Sequence, residues 1–208
     1  MELRAIRQMR GEATRQAILE AAEQIFANVG FDAARLEDVA LAVGIKRPSI
    51  IYYFPTKQDL YDAVESDIFE AMHHMADEKM AAASAPLARL LALLDAWLDF
   101  QIARPTASRI ILRLVADSTP RHGNPTQFSH SAISDMERVI ADGIKAGAFR
   151  PLPAMHLVNA VASSALFYVC NSSQFGVDRL YEPAEPARLA EFRALLHLMA
   201  KTAVSPTT

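Results

Sequence analysis

The chain has 208 residues, 51% of them hydrophobic, with a formal net charge of −3 and a single cysteine. That length and apolar content are enough for one or two compact domains with real cores, and they exclude a disordered or fibrous chain. Cys170 rules out an intrachain disulfide and, lying in an apolar run, is expected to be a buried small hydrophobe.

The amino terminus, MELRAIRQMRGEATRQ, lacks the apolar run of a secretory signal, and no segment offers the eighteen or so consecutive apolar residues of a membrane span. A cytoplasmic location is therefore expected. A first helix is read from about Thr14 to Val29, with Ile18, Ala21, Ala22, Ile25, Phe26 and Val29 on its buried stripe and Gly30 just past its end. Arg4, Arg7 and Arg10 precede it at spacings of three, as one side of a helical extension or as a flexible arm. Two short helices follow, at about 36–43 and 47–54. A long fourth helix, about 57–82, buries Leu60, Val64, Ile68, Met72 and Met75.

Pro86 opens a fifth helix to about Ala103, and Pro105 a sixth to about Ala116, because proline in the first turn loses no needed N–H. DSTPRHGNPT, 117–126, reads as a loop. A seventh helix spans about 127–146, an eighth about 154–175, and a ninth follows Pro183 and Pro186 to about Ala203. Few β-branched residues alternate with polar ones, so the expected fold class is all-α with about nine helices.

The stretch FDAARLEDVALAVGIKRPSIIYYFPTKQDL, from Phe31 to Leu60, carries the sharpest signal. Leu36, Val39, Ala40 and Val43 recur at helical spacing until Gly44 interrupts, and Ile45 and Ile50 refill the core beyond it. Ala40 is small where a second helix must cross, and Gly44 accepts a positive φ. This is a helix-turn-helix pattern. Through Lys57 the chain carries a net charge of about +1, against about −4 for the remainder, so a local basic face on an acidic protein is expected.

The tail Tyr52-Tyr53-Phe54-Pro55-Thr56-Lys57-Gln58-Asp59-Leu60, with Ala17 to Phe26 upstream and Gly30-Phe31 between, closely resembles the amino-terminal domain of the TetR family of bacterial transcription regulators. The resemblance covers roughly residues 14–64. It implies a helix-turn-helix DNA-binding domain at 1–56, with three helices, and a larger ligand-binding and dimerisation domain at 57–208. No cofactor and no enzymatic activity are implied. The expected partners are a double-stranded DNA operator, a small-molecule effector and a second copy of the chain.

By the resemblance, Tyr53 and Lys57 stand where the phosphate backbone is contacted, and Arg47, Ser49 and Tyr52 where base and backbone contacts are divided. Arg47 is the expected guanine reader, because its forked guanidinium can hold O6 and N7 together. Phe54 is assigned to the core. Three positions depart from the family pattern. Arg35 replaces a capping Ser or Thr and offers a direct phosphate contact instead. Lys46 and Pro48 replace a small polar residue and a Gly, Lys46 adding charge beside the groove. Ile51 replaces an aromatic.

The last two long helices are implied to form a two-fold dimer, with Val158, Val161, Ala162, Ala165, Leu189, Phe192 and Leu196 at the interface. Such a dimer would read a palindrome with half-sites one helical turn apart, or a multiple of it. Candidate effector contacts are Met72, Met75, Trp97, Phe100, Phe128, Phe167 and Tyr168, with Arg109, Arg113, His130 and Asn171 as polar anchors. An otherwise similar regulator without an effector is one alternative. An all-α metal protein or enzyme is another, since His73 and His74 stand at i, i+4 spacing from Asp77 and Glu78. No Glu-x-x-His set recurs and no HExxH or Cys cluster appears, so solvated helix surface is the expectation for these histidines.

Overall fold

The computed structural model describes residues 2–116 and 126–206, with side chains described from Met9 to Ala116 and from Ser129 onward. Phe128 thus lies outside the described side chains. Among the described residues the regular structure is helical: α1 (Glu2–Ala33), α2 (Leu36–Val43), α3 (Arg47–Tyr53), α4 (Lys57–Ala81), α5 (Pro86–Ala103), α6 (Pro105–Ala116), α7 (Thr126–Lys145), α8 and α9 (Pro186–Val204). Helix α8 runs Ala154–Leu157, passes through a π-helical stretch at Val158–Ala162, and ends as Ser163–Cys170. No described helix is long and apolar enough to cross a membrane.

The helices form two compact units. One comprises Met1–Ile68 with Arg109–Asp117, the other Phe69–Ser108 with Ser118–Thr208. The boundary therefore falls within α4, twelve residues beyond the expected 56/57 junction, because Leu60, Tyr61, Val64 and Ile68 are buried in the first unit's core. Helix α6 is divided too, Ser108 belonging to the second unit and Arg109 to the first.

In the first unit, Ile18, Ala22 and Phe26 of α1 are buried as the periodicity requires. Val29 is a correction: it is 51% exposed, because Gly30 (φ 80°, ψ 173°) turns the chain before the stripe is complete. Tyr61 of α4 is the aromatic anchor here, edge-on to Phe26 at 4.8 Å and to Phe31 at 5.1 Å. The α1 helix also begins earlier than expected, taking Arg4, Arg7 and Arg10 into its backbone.

In the second unit α5 is the central helix, packed against α7, α8 and α9. It buries Leu90, Leu93, Leu94, Leu98 and Phe100. Around this apolar centre run charged ties. Arg193 of α9 holds Asp95 at 2.7 Å and also Asp99, Lys79 of α4 holds Asp99, and His197 meets Asp95 at 2.8 Å. Burial alone would raise the Asp99 carboxyl, but the hydrogen bonds from Lys79 and Arg193 outweigh it and hold the group below its ordinary value.

His73 is likewise tied in, against the solvated surface expected of it. Its Nδ1 lies 2.6 Å from buried Asp135 of α7 and its Nε2 3.4 Å from Asp77, while Arg138 donates to both carboxylates at 2.7 and 3.3 Å. Ligand atoms of His73, Asp77 and Asp135 lie within 4.8 Å of one another, yet the guanidinium already supplies the cation that the two carboxylates need. His74 and Glu78 remain exposed. Cys170 is half-buried rather than buried.

Candidate nucleic-acid interface

Helix α2 ends where the sequence requires. Gly44 takes φ 73° and ψ 29°, and the Ile45 N–H donates to the Ala40 carbonyl at 3.0 Å, so the chain reverses within three residues. Arg35 stands at the amino-terminal cap of α2 without a side-chain hydrogen bond to it and is exposed, as a residue lacking an acceptor must be. Pro48 sits in the first turn of α3, where its missing N–H costs nothing.

Ile50, fully buried, pins α3 to the unit's core. The opposite side carries Arg47, Pro48, Ile51 and Tyr52, all exposed, at the three- and four-residue steps of a single helical face. Tyr52 is 82% exposed. Lys46 precedes this face and is exposed as well, and half-buried Ser49 lies on its flank. Tyr53 is half-buried, its ring edge-on to Tyr52 at 5.2 Å. A Cβ on Gly11 would stand 3.8 Å from the Tyr53 hydroxyl, so Tyr53 also leans on α1. Phe54 is buried, with the Arg15 guanidinium 5.2 Å over its ring.

Two of the side chains assigned to DNA from the sequence have partners within the chain. Arg47 Nε lies 2.7 Å from Glu37 Oε1, so the expected base reader is paired across the turn. Lys57, expected at a phosphate, donates from Nζ to the carbonyls of Phe31 (2.8 Å), Asp32 (3.2 Å) and Ala34 (3.2 Å) and lies 4.4 Å from the Phe31 ring centroid. An ammonium has three donors, and all three are engaged. Sequence reasoning had no cue for this contact, since the carbonyls lie 23 to 26 residues away. The start of α4 is closed by its own residues: Asp59 Oδ2 accepts from the Thr56 N–H and hydroxyl, and Thr56 Oγ1 accepts the Asp59 N–H. This is a capping box in which Asp replaces the commoner Glu.

Residues 18–64 match the family model described as bacterial regulatory proteins, tetR family, and residues 86–199 match that of the tetracyclin repressor-like C-terminal domain. The chain belongs to the TetR family. It is 30% identical over 158 residues to the HTH-type transcriptional regulator RutR of Escherichia coli K12, covering 75% of this chain and 74% of that one. With the HTH-type transcriptional repressor NicS of Pseudomonas putida KT2440 it shares 26% identity over 175 residues, 80% of each chain. Among solved structures, a TetR family regulator from Marinobacter aquaeolei VT8 superposes with a TM-score of 0.80 at 18% identity, over 96% of this chain and all of that one. The TetR member described here is thus a DNA-binding transcriptional regulator.

The remaining predicted sites separate by burial. Met72, Trp97 and Phe100 lie in the interior of the second unit, and Met75 is half-buried. Arg109 and Arg113 belong instead to the first unit, where they donate to Asn28 of α1, to its side-chain carbonyl at 3.1 Å and its backbone carbonyl at 3.4 Å. His130 and Phe167 are exposed, Asn171 is half-buried, and Tyr168 stacks on Phe192 at 4.0 Å with its hydroxyl donated to the Pro183 carbonyl. Of the residues assigned to the dimer, Val161, Ala162, Ala165 and Leu196 are buried inside their own unit, while Val158, Leu189 and Phe192 are half-buried. The apolar surface these helices leave open is Phe167, Leu195 and Leu198, each at least half exposed.

Proposed function

We propose that this regulator is a homodimeric repressor that leaves a palindromic operator when a small, largely apolar effector binds its second unit. The observation that carries the reading is the exposed stripe Arg47, Pro48, Ile51 and Tyr52, held outward by buried Ile50. An α-helix of this kind fits the major groove. Arg47 reads guanine, and Arg35, Lys46, Ser49, Tyr52 and Tyr53 divide the remaining base and phosphate contacts.

Exposed Phe167, Leu195 and Leu198 supply the apolar surface that a second copy would cover. The name of the relative NicS, a transcriptional repressor, supports the sign of regulation. Helix α4 supports the coupling, since one unbroken rod contributes Lys57–Ile68 to the DNA-binding unit and Phe69–Ala81 to the other. The effector must prefer the released geometry, and moving the equilibrium from about 1:99 to 99:1 needs roughly 10⁴-fold preference, about 5.5 kcal/mol.

The test is selection of bound fragments from the source genome by the purified protein, followed by release with metabolite pools. Recovery of a shared inverted repeat, lost on addition of a pool, supports the reading. Uniform recovery of all fragments contradicts it.

A further inference from the structure

Three buried side-chain polar atoms in the second unit have no hydrogen-bond partner among the described residues: Trp97 Nε1, Gln101 Oε1 and Ser108 Oγ. Their residues are 6%, 5% and 0% exposed. A buried polar group without a partner forfeits its hydration and gains nothing, so folded proteins rarely keep one without a use. Here there are three within twelve positions. Trp97 and Gln101 stand one turn apart on the same face of α5, the helix around which the unit is built, and Ser108 follows in the first turn of α6. The indole is a donor only and the amide oxygen an acceptor only, yet they do not satisfy each other. A hydroxyl can do either.

The charged residues of the unit bear on what belongs there. No Lys, Arg or His of the second unit is buried among the described residues, and its one buried carboxylate, Asp135, is already held by His73 and Arg138. A carboxylate or phosphate brought to these atoms would be desolvated without a buried counter-charge. A neutral molecule that accepts from the indole and donates to the Gln101 carbonyl meets both needs at once.

We propose that Trp97, Gln101 and Ser108 are the polar recognition set of the effector site, and that the effector is a neutral molecule presenting an amide-type donor and acceptor on an apolar frame. This rests on the effector-responsive reading above. Ser108 is followed in the same helix by Arg109, which is bonded to Asn28 of α1, so α6 offers a second continuous element reporting on occupancy.

Trp97 is the only tryptophan of the chain and serves as its own probe. The full-length protein is titrated with δ-valerolactam and glutarimide, beside valerate as the charged control of similar size, while Trp97 emission, thermal midpoint and operator binding are followed. The expected result is a saturable emission change with the lactam and imide, weaker by about tenfold for Gln101→Leu and for valerate. Without ligand, Gln101→Leu should melt no lower than the wild type, since it removes an unsatisfied group. A lower midpoint would show that internal water already satisfies the carbonyl and would overturn the proposal. So would tighter binding of valerate, or Trp97 emission unmoved by both amides. Emission changes in a protein that binds no operator would leave the site standing and overturn the regulatory reading. Operator binding with silent emission would do the reverse.

Discussion

Arg47 of α3 is paired with Glu37 in the first turn of α2, with Nε 2.7 Å from Oε1. Both side chains are more than half exposed, so the pair is worth only about 0.2–1 kcal/mol. A bidentate contact to guanine carries roughly 1–3 kcal/mol of discrimination. On the proposed reading, DNA therefore wins the guanidinium. Glu37→Gln should tighten operator binding by up to about fivefold without changing the preferred sequence. Arg47→Ala should weaken it and relax preference at one base pair per half-site. Anisotropy titrations against single-position operator variants separate the two outcomes.

Lys57 gives an opposite expectation to the one its motif suggests. With its three donors on the carbonyls of Phe31, Asp32 and Ala34, Lys57→Met removes three hydrogen bonds to one turn, two of them part-buried, and should lower stability by about 1–3 kcal/mol. Circular dichroism melting checks this. A lysine serving only as a phosphate contact would leave the melt unchanged and reduce the salt slope of DNA binding by about one.

Phe149 lies over Gly143. A Cβ there would come within 2.0 Å of the ring, with no flexible chain end to yield. Gly143→Ala should therefore destabilise by about 1–3 kcal/mol through overpacking. Paired with Phe149→Leu, the alanine should cost less than the sum of the two single changes, which a double-mutant melting cycle would read directly.

The depressed Asp99 carboxyl carries a pH signature. A group whose folded value lies below its unfolded one stabilises the fold above the unfolded value, here 3.8, and loses that contribution as pH falls through the lower folded value. Asp99→Asn should thus cost about 1 kcal/mol at neutral pH and little once the pH is well below 3.8. Chemical denaturation at both pH values tests the sign. Equal losses at the two would assign the effect to packing.

These cases show what a sequence discloses. Local grammar was legible: Gly44 and Pro48 bracket the turn, Pro86, Pro105 and Pro186 open helices, and Ile18, Ala22, Phe26 and Ile50 mark the first core. What stayed hidden depends on partners distant in the chain. Glu37 beside Arg47, the carbonyls beneath Lys57, Asn28 beside Arg109 and Asp135 beside His73 are long-range pairings that no spacing rule contains. Which face of α9 turns into its own unit was not legible, because both sides are apolar. Leu196 turns inward while Leu195 and Leu198 remain open.

The open face of Phe167, Leu195 and Leu198 should hold two copies together. Replacing Leu198 with Glu places a charge at that contact and should raise the dimer dissociation constant by tenfold or more, through burial of an unpaired carboxylate. Sedimentation of the variant at several concentrations measures it, with unchanged melting of each unit as the control for folding.

On the proposed reading, the α3 helices of two copies read one inverted repeat. The most direct measurement is the mass of the complex on the selected operator, by sedimentation or light scattering, beside the mass on a duplex in which one half-site is scrambled. The account predicts two chains per intact operator, or a multiple of two, and a loss of affinity of at least tenfold when either half-site is scrambled. One chain per site, or equal binding to both duplexes, would contradict it.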